Sequence, residues 1–209
     1  MDKEYWDNFY KQKKVVHFPS TFAEFCLSEF IEKKSTIVEL GSGNGRDAFY
    51  FAENGHHVYA IDQSHEANIL ETNMLTTVAK NNIDLITADF TKESFEAFNQ
   101  IDVFYSRFTM HAIQQQEQDV LLPKLYSSLN KGGFFLVEAR TTKDPLCGQG
   151  KPVGDNAYVT DHYRRFIDAQ DFVKKCLHFG FNLLFFTEKS GLSVFNNDDP
   201  VLMRIALKK

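Results

Sequence analysis

The sequence predicts an α/β fold with a doubly wound, mainly parallel seven-stranded sheet and an antiparallel C-terminal hairpin. Strand-like and helix-like segments alternate along most of the chain, as a parallel sheet covered on both faces requires. A glycine-rich stretch follows the first predicted strand. The last two strand-like segments are joined by a loop alone, a connection short enough for an antiparallel pair.

The N-terminal half alternates between amphipathic and apolar segments. STFAEFCLSEFIEKK has apolar residues on one face and predicts a helix capped by Ser20 or Thr21. TIVEL predicts a buried strand, RDAFYFAENG a helix that ends at Gly55, and HVYAID the second strand. Residues 64–81 have a helical pattern, and IDLITADF and IDVFYSRF predict the third and fourth strands.

The C-terminal half continues this alternation after one long interruption. QDVLLPKLYSSL predicts a helix, KGG a turn and FFLVEAR the fifth strand. DAQDFVKKCLHFGF predicts the last helix, and NLLFFTEKS and PVLMRIALK the final two strands. Residues 141–166 have no regular pattern, and irregular stretches of this length in compact domains are commonly functional. We expect this stretch to form a loop on the substrate side.

Composition narrows the class of protein. The 209 residues suit a single domain, and the net charge of -5 argues against a nucleic-acid partner. No apolar run is long enough to span a bilayer, and residues 1–14 contain no signal-peptide core, so we expect a cytoplasmic protein without membrane insertion. Three widely spaced cysteines and the adjacent His56 and His57 match no metal-ligand pattern, so we expect no metal site.

The stretch IVELGSGNGRD places Gly41, Gly43 and Gly45 directly after a strand. Glycines there allow a tight turn and let backbone N–H groups approach a ligand. Asp62 ends the second strand, where nucleotide-binding βαβ units hold a ribose diol. Together these residues predict a nucleotide-type cofactor. The dinucleotide pattern GxGxxG would need a glycine at Arg46, which disfavours an NAD-linked oxidoreductase.

The glycine stretch resembles motif I of the class I S-adenosylmethionine (SAM) methyltransferases, and the resemblance covers nearly the whole chain, including the final hairpin of their Rossmann-like fold. It implies SAM as cofactor, with the glycines along its methionine portion and Asp62 on its ribose. Asp89 and Phe90 in ITADF match the positions beside adenine, and Ser106 and Arg107 match the position beside the reactive methyl group. The residues for which we expect a cofactor contact are Tyr5, Trp6, Glu39, Gly41, Gly43, Gly45, Arg46, Asp62, Gln63, Asp89, Phe90 and Ser106.

Arginines predict the chemistry of the methyl acceptor. A hydroxyl acceptor needs a base, whereas a phosphate or carboxylate oxygen needs to be held and partly desolvated, which arginine does well. Arg46, Arg107 and Arg140 follow strand ends on the expected ligand side, and Arg164 and Arg165 lie in DHYRRF. We expect several of them to converge on one anion, with Arg107 and Arg165 as catalytic groups. A solvated or packing role remains open for each one.

His111 follows the fourth strand in SRFTMHAI and is the third catalytic candidate, as a general base or as a hydrogen-bond partner of the acceptor. A space-filling role near a helix N-terminus is the alternative. The residues for which we expect a substrate contact are Tyr10, Arg140, His162, Tyr163 and Arg164.

An N-terminal arm, residues 1–34, precedes the first strand. Tyr5, Trp6, Phe9 and Tyr10 fall at helical spacing, which is typical of packing. Small-molecule methyltransferases also fold such an aromatic arm over the cofactor, so the resemblance implies a lid.

YWDNFY, FPSTFAEF, LGSGNGRDA, YSRFTMHAI and HYRRF are similar to the methyltransferase part of bacterial O-antigen chain-terminating enzymes. This implies O-methylation of a phosphate on a sugar or surface glycan, in polysaccharide biosynthesis. Those enzymes carry a kinase domain after the methyltransferase, whereas this sequence ends at Lys209. A separate kinase or glycan-assembly enzyme would then be a partner, or the acceptor would be a free small molecule. A carboxyl or hydroxyl methyltransferase with His111 as base and a non-catalytic SAM-binding regulatory module remain alternatives.

Overall fold

A computed structural model describes residues 3–12, 18–32, 34–74, 77–98 and 100–209. The helices in these ranges are α1 Lys3–Gln12, α2 Thr21–Glu29, α3 Arg46–Glu53, α4 His65–Met74, α5 Thr77–Lys80, α6 Gln115–Ser128 and α7 Ala169–His178. The strands are β1 Thr36–Leu40, β2 His57–Asp62, β3 Ile83–Thr87, β4 Ile101–Arg107, β5 Leu129–Arg140, β6 Lys151–Gly154, β7 Ala157–Val159, β8 Tyr163–Arg165, β9 Asn182–Lys189 and β10 Leu202–Lys208. None of the described helices is long and apolar enough to cross a bilayer.

Seven strands form the central sheet in the order β3-β2-β1-β4-β5-β10-β9. The first five are parallel, and β10 runs antiparallel to both β5 and β9. The predicted fold class is confirmed. The chain runs outward from β1 to β3 and then returns to β4, so the strand order reverses between β1 and β4. In open α/β sheets, ligands bind beyond the carboxyl ends of the strands at such a reversal.

Both faces of the sheet are buried, and β1 shows how its sequence achieves this. Successive side chains of a strand point to opposite faces. Ile37 packs in a core cluster with Phe22 of α2 and Phe51 of α3, whereas Val38 packs on the other face with Leu121 of α6. Because both faces are covered, the strand carries apolar residues toward both of them, Ile37 on one and Val38 and Leu40 on the other.

The start of α2 is tied to the sheet through one buried carboxylate. Ser20 is the N-cap, since its Oγ accepts a bond from the backbone N–H of Ala23 at 3.0 Å. The same hydroxyl and the Tyr105 hydroxyl both donate to Oδ2 of Asp47, at 2.7 and 2.8 Å. Asp47 therefore joins the first turns of α2 and α3 to β4.

The stretch 141–166 differs from the prediction, because it contains a small antiparallel sheet in the order β6-β7-β8. These strands have three or four residues each, and all of β6 is exposed. Strands of this length are too short to show an alternation of apolar residues in the sequence. One boundary also differs, because β5 begins before the KGG segment. Within the stretch 64–81, for which a helical pattern was predicted, the described residues form α4 and α5.

Candidate functional site

A cavity of about 490 Å³ opens beyond the carboxyl ends of β1, β2, β4 and β5. It brings together most of the predicted site residues. Those that line it are Tyr5, Trp6, Tyr10, Glu39, Gly41, Gly43, Arg46, Asp62, Arg107, His111, Arg140, His162 and Arg164. The predicted residues outside its lining are Gly45, Gln63, Asp89, Phe90, Ser106, Tyr163 and Arg165.

The loop between β1 and α3, residues 41–45, is called the glycine loop and forms one wall of the cavity. Backbone N–H groups of Gly41 and Ser42 donate to the carbonyl oxygen of Ile61 at 2.8 and 3.0 Å, which fixes the loop against the end of β2. A Cβ on Gly41 would overlap the side chain of Thr109, and one on Gly43 would overlap the hydroxyl of Tyr10. These positions therefore require glycine for space as well as for their positive φ angles of 80° and 62°.

Asp62 ties the end of β2 to the glycine loop. Its Oδ2 accepts from the backbone N–H of Gly43 at 2.9 Å, and its Oδ1 accepts from that of Ser64 at 2.8 Å. Burial raises the pKa of Asp62, and these two bonds act in the opposite direction. A carboxylate has about four lone-pair sites, so two backbone bonds leave acceptor capacity for hydroxyl groups of a ligand.

The residues predicted beside adenine, Asp89 and Phe90, do not line the cavity, and neither does Ser106. Oδ1 of Asp89 accepts from the Thr91 hydroxyl at 2.7 Å, and Oδ2 pairs with Lys92 at 3.0 Å. Phe90 is buried in the core, and the Ser106 hydroxyl lies 2.6 Å from that of Thr109. The cofactor contacts predicted for these residues therefore stay predictions.

Arg46 and Arg107 form one basic pair on the wall near the glycine loop. Nε of Arg107 donates to Oε1 of Glu138 at 3.1 Å, and its guanidinium lies 4.4 Å from the ring centre of Phe108. The pKa of Arg46 is lowered by burial first and then by the positive charge of Arg107, although Asp47 acts against this. Two guanidinium groups in one partly desolvated wall favour an anionic ligand.

Arg140 and Arg164 form a second basic pair. Arg140 donates to Oδ2 of Asp144 at 2.9 Å and also to Asp198. Arg164 donates to Nε2 of His162 at 3.0 Å. Burial lowers the pKa of Arg164, and the charge of Arg140 lowers it further. Among the described residues, no carboxylate forms an ion pair with Arg164.

His111 lies in the loop before α6 with its ring in a defined orientation. The backbone N–H of Arg140 donates to Nδ1 of His111 at 3.2 Å. Burial lowers the pKa of His111 well below its ordinary value, and the positive charge of Arg140 adds to the effect. The imidazole is therefore neutral, and because Nδ1 provides the lone pair, the proton is on Nε2. His111 can donate a hydrogen bond from Nε2, where a general base would need a lone pair.

The catalytic role predicted for Arg165 requires a correction, because its guanidinium donates its hydrogen bonds to other groups of the protein. It is buried and lies outside the cavity lining. It donates to the carbonyl oxygens of Met110 and Ile113 and to the side-chain oxygens of Gln115 and Gln118. Arg165 thus holds the segment that carries His111 and is a positioning residue. Tyr163, on the same strand, is half-buried and also outside the lining.

Helix α1 closes the cavity from above. Tyr5 stacks on His162 with ring centres 4.3 Å apart, and its hydroxyl donates to Asp161 at 3.0 Å. On the other side of the helix, Asp7 accepts from the Ser64 hydroxyl at 2.6 Å. The helix therefore bridges the β7–β8 loop and the start of α4. The lid role of the N-terminal arm stays a prediction.

The sequence analysis did not assign several lining residues to the site: Ser42, Asn44, Asp47, Phe108, Thr109, Ala112, Asp161, Phe195 and Asp198. Phe108 has a positive φ of 59°, a conformation that its sequence context does not predict. Phe195 and Asp198 belong to the loop between β9 and β10, whose sequence has no helical or strand-like period. No group of three or more His, Cys, Asp or Glu suited to a metal ion occurs within the described ranges.

Residues 37–133 match the family model of a methyltransferase domain. An uncharacterized methyltransferase of Bacillus mycoides (strain KBAB4) is 29% identical over 135 residues, which cover 61% of this chain. The chain spans only 58% of the length of that relative. An uncharacterized methyltransferase of Bacillus cereus (strain 03BB102) is 28% identical, with the same shares covered.

Solved structures agree on the fold. A SAM-dependent methyltransferase from Methanosarcina mazei superposes with a TM-score of 0.75 at 12% identity, covering 88% of this chain and 96% of that one. The glycopeptide N-methyltransferase MtfA complexed with SAM gives a TM-score of 0.69 at 13% identity, covering 94% and 96%. The chain has the fold of class I SAM-dependent methyltransferases. The match of residues 37–133 to a methyltransferase domain model agrees with this fold.

Proposed function

We propose that the protein is a SAM-dependent O-methyltransferase whose acceptor is an anion, a phosphate oxygen on a sugar or surface glycan. One cavity joins the glycine loop and Asp62 to both basic pairs, Arg46 with Arg107 and Arg140 with Arg164. The methyltransferase-domain match supports the reaction class. The basic pairs support the acceptor class, because arginine forks bind phosphate and carboxylate groups strongly.

The orientation of His111 is the observation that carries the choice of acceptor. A neutral hydroxyl acceptor needs a group that removes its proton. His111 presents an N–H from Nε2, since Nδ1 accepts from the backbone of Arg140. An anionic oxygen has no proton to lose and accepts such a hydrogen bond directly. The geometry therefore favours an anionic acceptor over the alternative with His111 as base.

The glycine loop and the residues beside it have features that suit SAM. The space above Gly41 and Gly43 is too narrow for a side chain, and Ser42 Oγ and Gln63 Nε2 are buried without a hydrogen-bond partner among the described residues. Ser42 Oγ and Asp62, which both line the cavity, offer polar contacts to the methionine and ribose portions. When bound, SAM would supply an electrophilic methyl group on its sulfonium.

The remaining tasks belong to the side chains of this protein. The basic pairs hold the acceptor oxygen in line with the methyl group, since alignment supplies most of the rate in such displacements. His111 donates to an acceptor oxygen and fixes its rotation. Helix α1 excludes water from the cavity. A phosphate acceptor also implies that a kinase or another glycan-assembly enzyme acts beforehand, and we propose that it is a separate partner.

A transfer assay tests the proposal. The purified protein is incubated with SAM carrying a labelled methyl group and with matched acceptors: sugar phosphates, the same sugars without phosphate, sugar acids and an amino sugar. We expect label in the sugar phosphates alone. Label in unphosphorylated sugars would overturn the anionic acceptor, and label in the amino sugar would indicate N-methylation, the activity named for MtfA. SAM binding without transfer to any acceptor would favour the regulatory module.

A further inference from the structure

The guanidinium of Arg140 lies between two carboxylates of very different exposure. It donates through Nη1 to Asp144 and through Nη2 to Asp198. The side chain of Asp144 is fully buried, whereas that of Asp198 is 51% exposed. One positive charge therefore faces two negative charges at the edge of a cavity that otherwise favours anions.

Asp144 is fixed in this arrangement. Its Oδ2 also accepts from the backbone N–H of Val201 at 3.1 Å, and its Oδ1 accepts from that of Leu146 at 2.8 Å. Leaving these partners would strand a buried charge, which is costly. The Asp198 side chain is less firmly held than that of Asp144. Among the described residues, it accepts a hydrogen bond from Arg140 alone. Its exposed carboxylate remains hydrated when that bond breaks.

The loop that carries Asp198 has an anchored base and a separate tip. At the base, the Ser193 hydroxyl donates to Glu138 at 2.9 Å, and the carbonyl oxygen of Leu192 accepts from Arg204 at 2.8 Å. At the tip, Phe195 and Asp198 exchange two backbone bonds of 2.9 and 3.0 Å and form a tight turn. Both tip residues line the cavity, and Phe195 is 62% exposed. The tip therefore reaches the site as a small unit held there through Arg140.

We propose that Asp198 occupies an anion subsite on Arg140 and that the anionic group of the acceptor takes its place. The proposal rests on the proposed function and adds to it the subsite and the competing group. A neutral molecule cannot replace a carboxylate on a guanidinium, so the exchange selects for oxyanions. Arg164, which adds a second positive charge beside Arg140, strengthens the attraction for a phosphate over a single carboxylate.

Inorganic phosphate is the probe for this subsite. It is titrated calorimetrically, at constant ionic strength, into the wild-type protein and into Asp198→Asn, which keeps the shape and removes the charge. An internal competitor occupies the site for part of the time. The apparent affinity of the site for phosphate is then its intrinsic affinity multiplied by the fraction of time for which the site is accessible. Because a half-exposed ion pair is worth up to about 1 kcal/mol, we expect Asp198→Asn to bind phosphate about fivefold more tightly.

Asp199→Asn is the matched control. Asp199 lies in the same loop and accepts from the backbone N–H of Gly191 at 2.6 Å, away from Arg140. Its substitution removes the same charge, and we expect a change in phosphate affinity below about twofold. Adding Arg140→Gln to Asp198→Asn should abolish the gain.

Three results would overturn the subsite: no gain in Asp198→Asn, an equal gain in Asp199→Asn, or a gain that survives Arg140→Gln. Phosphate titration needs neither SAM nor turnover, so it is independent of the transfer assay. A protein that transfers methyl groups to sugar phosphates but shows no gain refutes the subsite alone. A protein with the gain but without any transfer keeps the subsite and refutes the proposed function.

Discussion

Glu138 holds Arg107 in the wall of the cavity from a fully buried position. Its Oε1 accepts from Nε of Arg107 at 3.1 Å, and its Oε2 accepts from Nε of Arg204 at 2.6 Å. Nε of Arg107 is thereby committed to the protein, and the far end of the guanidinium is turned toward the cavity. One internal carboxylate thus supports both an arginine of the site and the anchored base of the β9–β10 loop.

Glu138→Gln should destabilise the protein by about 3 kcal/mol, because it leaves the buried guanidinium of Arg204 and the partly buried one of Arg107 without their counter-charge. Urea denaturation followed by circular dichroism measures the change in the free energy of unfolding. Asp84→Asn is the control, since Asp84 is an exposed carboxylate on β3, and it should change stability by less than about 0.5 kcal/mol. Equal stability of Glu138→Gln and the wild type would mean that this network is not a structural support.

Asp62→Asn should weaken SAM binding by about 1.5–3 kcal/mol, the range for hydrogen bonds to a charged group. The amide keeps the size of the side chain but loses one acceptor oxygen and the charge. Calorimetric titration with SAM measures the loss, and the thermal unfolding curve shows whether the loop has remained intact. Unchanged SAM affinity in a folded variant would remove Asp62 from the cofactor site.

His111→Asn should retain most of the transfer rate with an anionic acceptor. The Asn Oδ1 can accept from the backbone N–H of Arg140 as Nδ1 does, and the loss of one donor should cost less than about tenfold in kcat. Removal of a general base would cost about a hundredfold or more. A loss of that larger size in kcat would restore His111 as the base.

The same variant tests the ionisation of His111. Its folded-state pKa lies below the ordinary value of 6.5, so the unfolded chain takes up a proton that the folded protein does not. The resulting stability is fully present above pH 6.5 and is lost as the pH falls toward the folded-state pKa. His56 has a pKa lowered by burial and contributes in the same direction. The free energy of unfolding should therefore fall less steeply below pH 6.5 in His111→Asn than in the wild type, and identical slopes would contradict a neutral buried imidazole.

Gly43→Ala should displace α1, the proposed lid, from the glycine loop. Its Cβ would overlap the Tyr10 hydroxyl, whereas Gly55 has a similarly positive φ of 89° and nothing within 4 Å of the added atom. Each substitution introduces about 1 kcal/mol of backbone strain, so Gly55→Ala controls for it. Trp6 is the single tryptophan and lies on α1, so its fluorescence reports the lid. We expect a red shift in Gly43→Ala alone, and the same spectrum in both variants would contradict the contact between lid and loop.

The parts of the fold that were predicted correctly are those whose signals are local in sequence. TIVEL and HVYAID are apolar runs because both faces of the sheet are covered, and the glycines follow the first run directly. Asp62 and Arg107 were located because they end strands, and strand ends at one edge of a parallel sheet must converge.

The errors arise where the partners are distant in sequence. Arg165 looked like a free cation beside Arg164, but its bonding partners lie about fifty residues away in the 110–118 segment. Asp198 accepts a hydrogen bond from Arg140, which lies 58 positions earlier, and its own loop has no regular period in the sequence. The strands β6, β7 and β8 have three or four residues each, which is too short to show periodicity. Tertiary contacts alone decide these features.

The proposed function depends on the claim that the glycine loop and Asp62 bind SAM. The most direct measurement is a calorimetric titration of the purified protein with SAM, then with S-adenosylhomocysteine and then with NADH. We predict micromolar binding of the first two and none of NADH. Binding of NADH without SAM would contradict the reading of the glycine loop, and the proposed methyl transfer would be refuted with it.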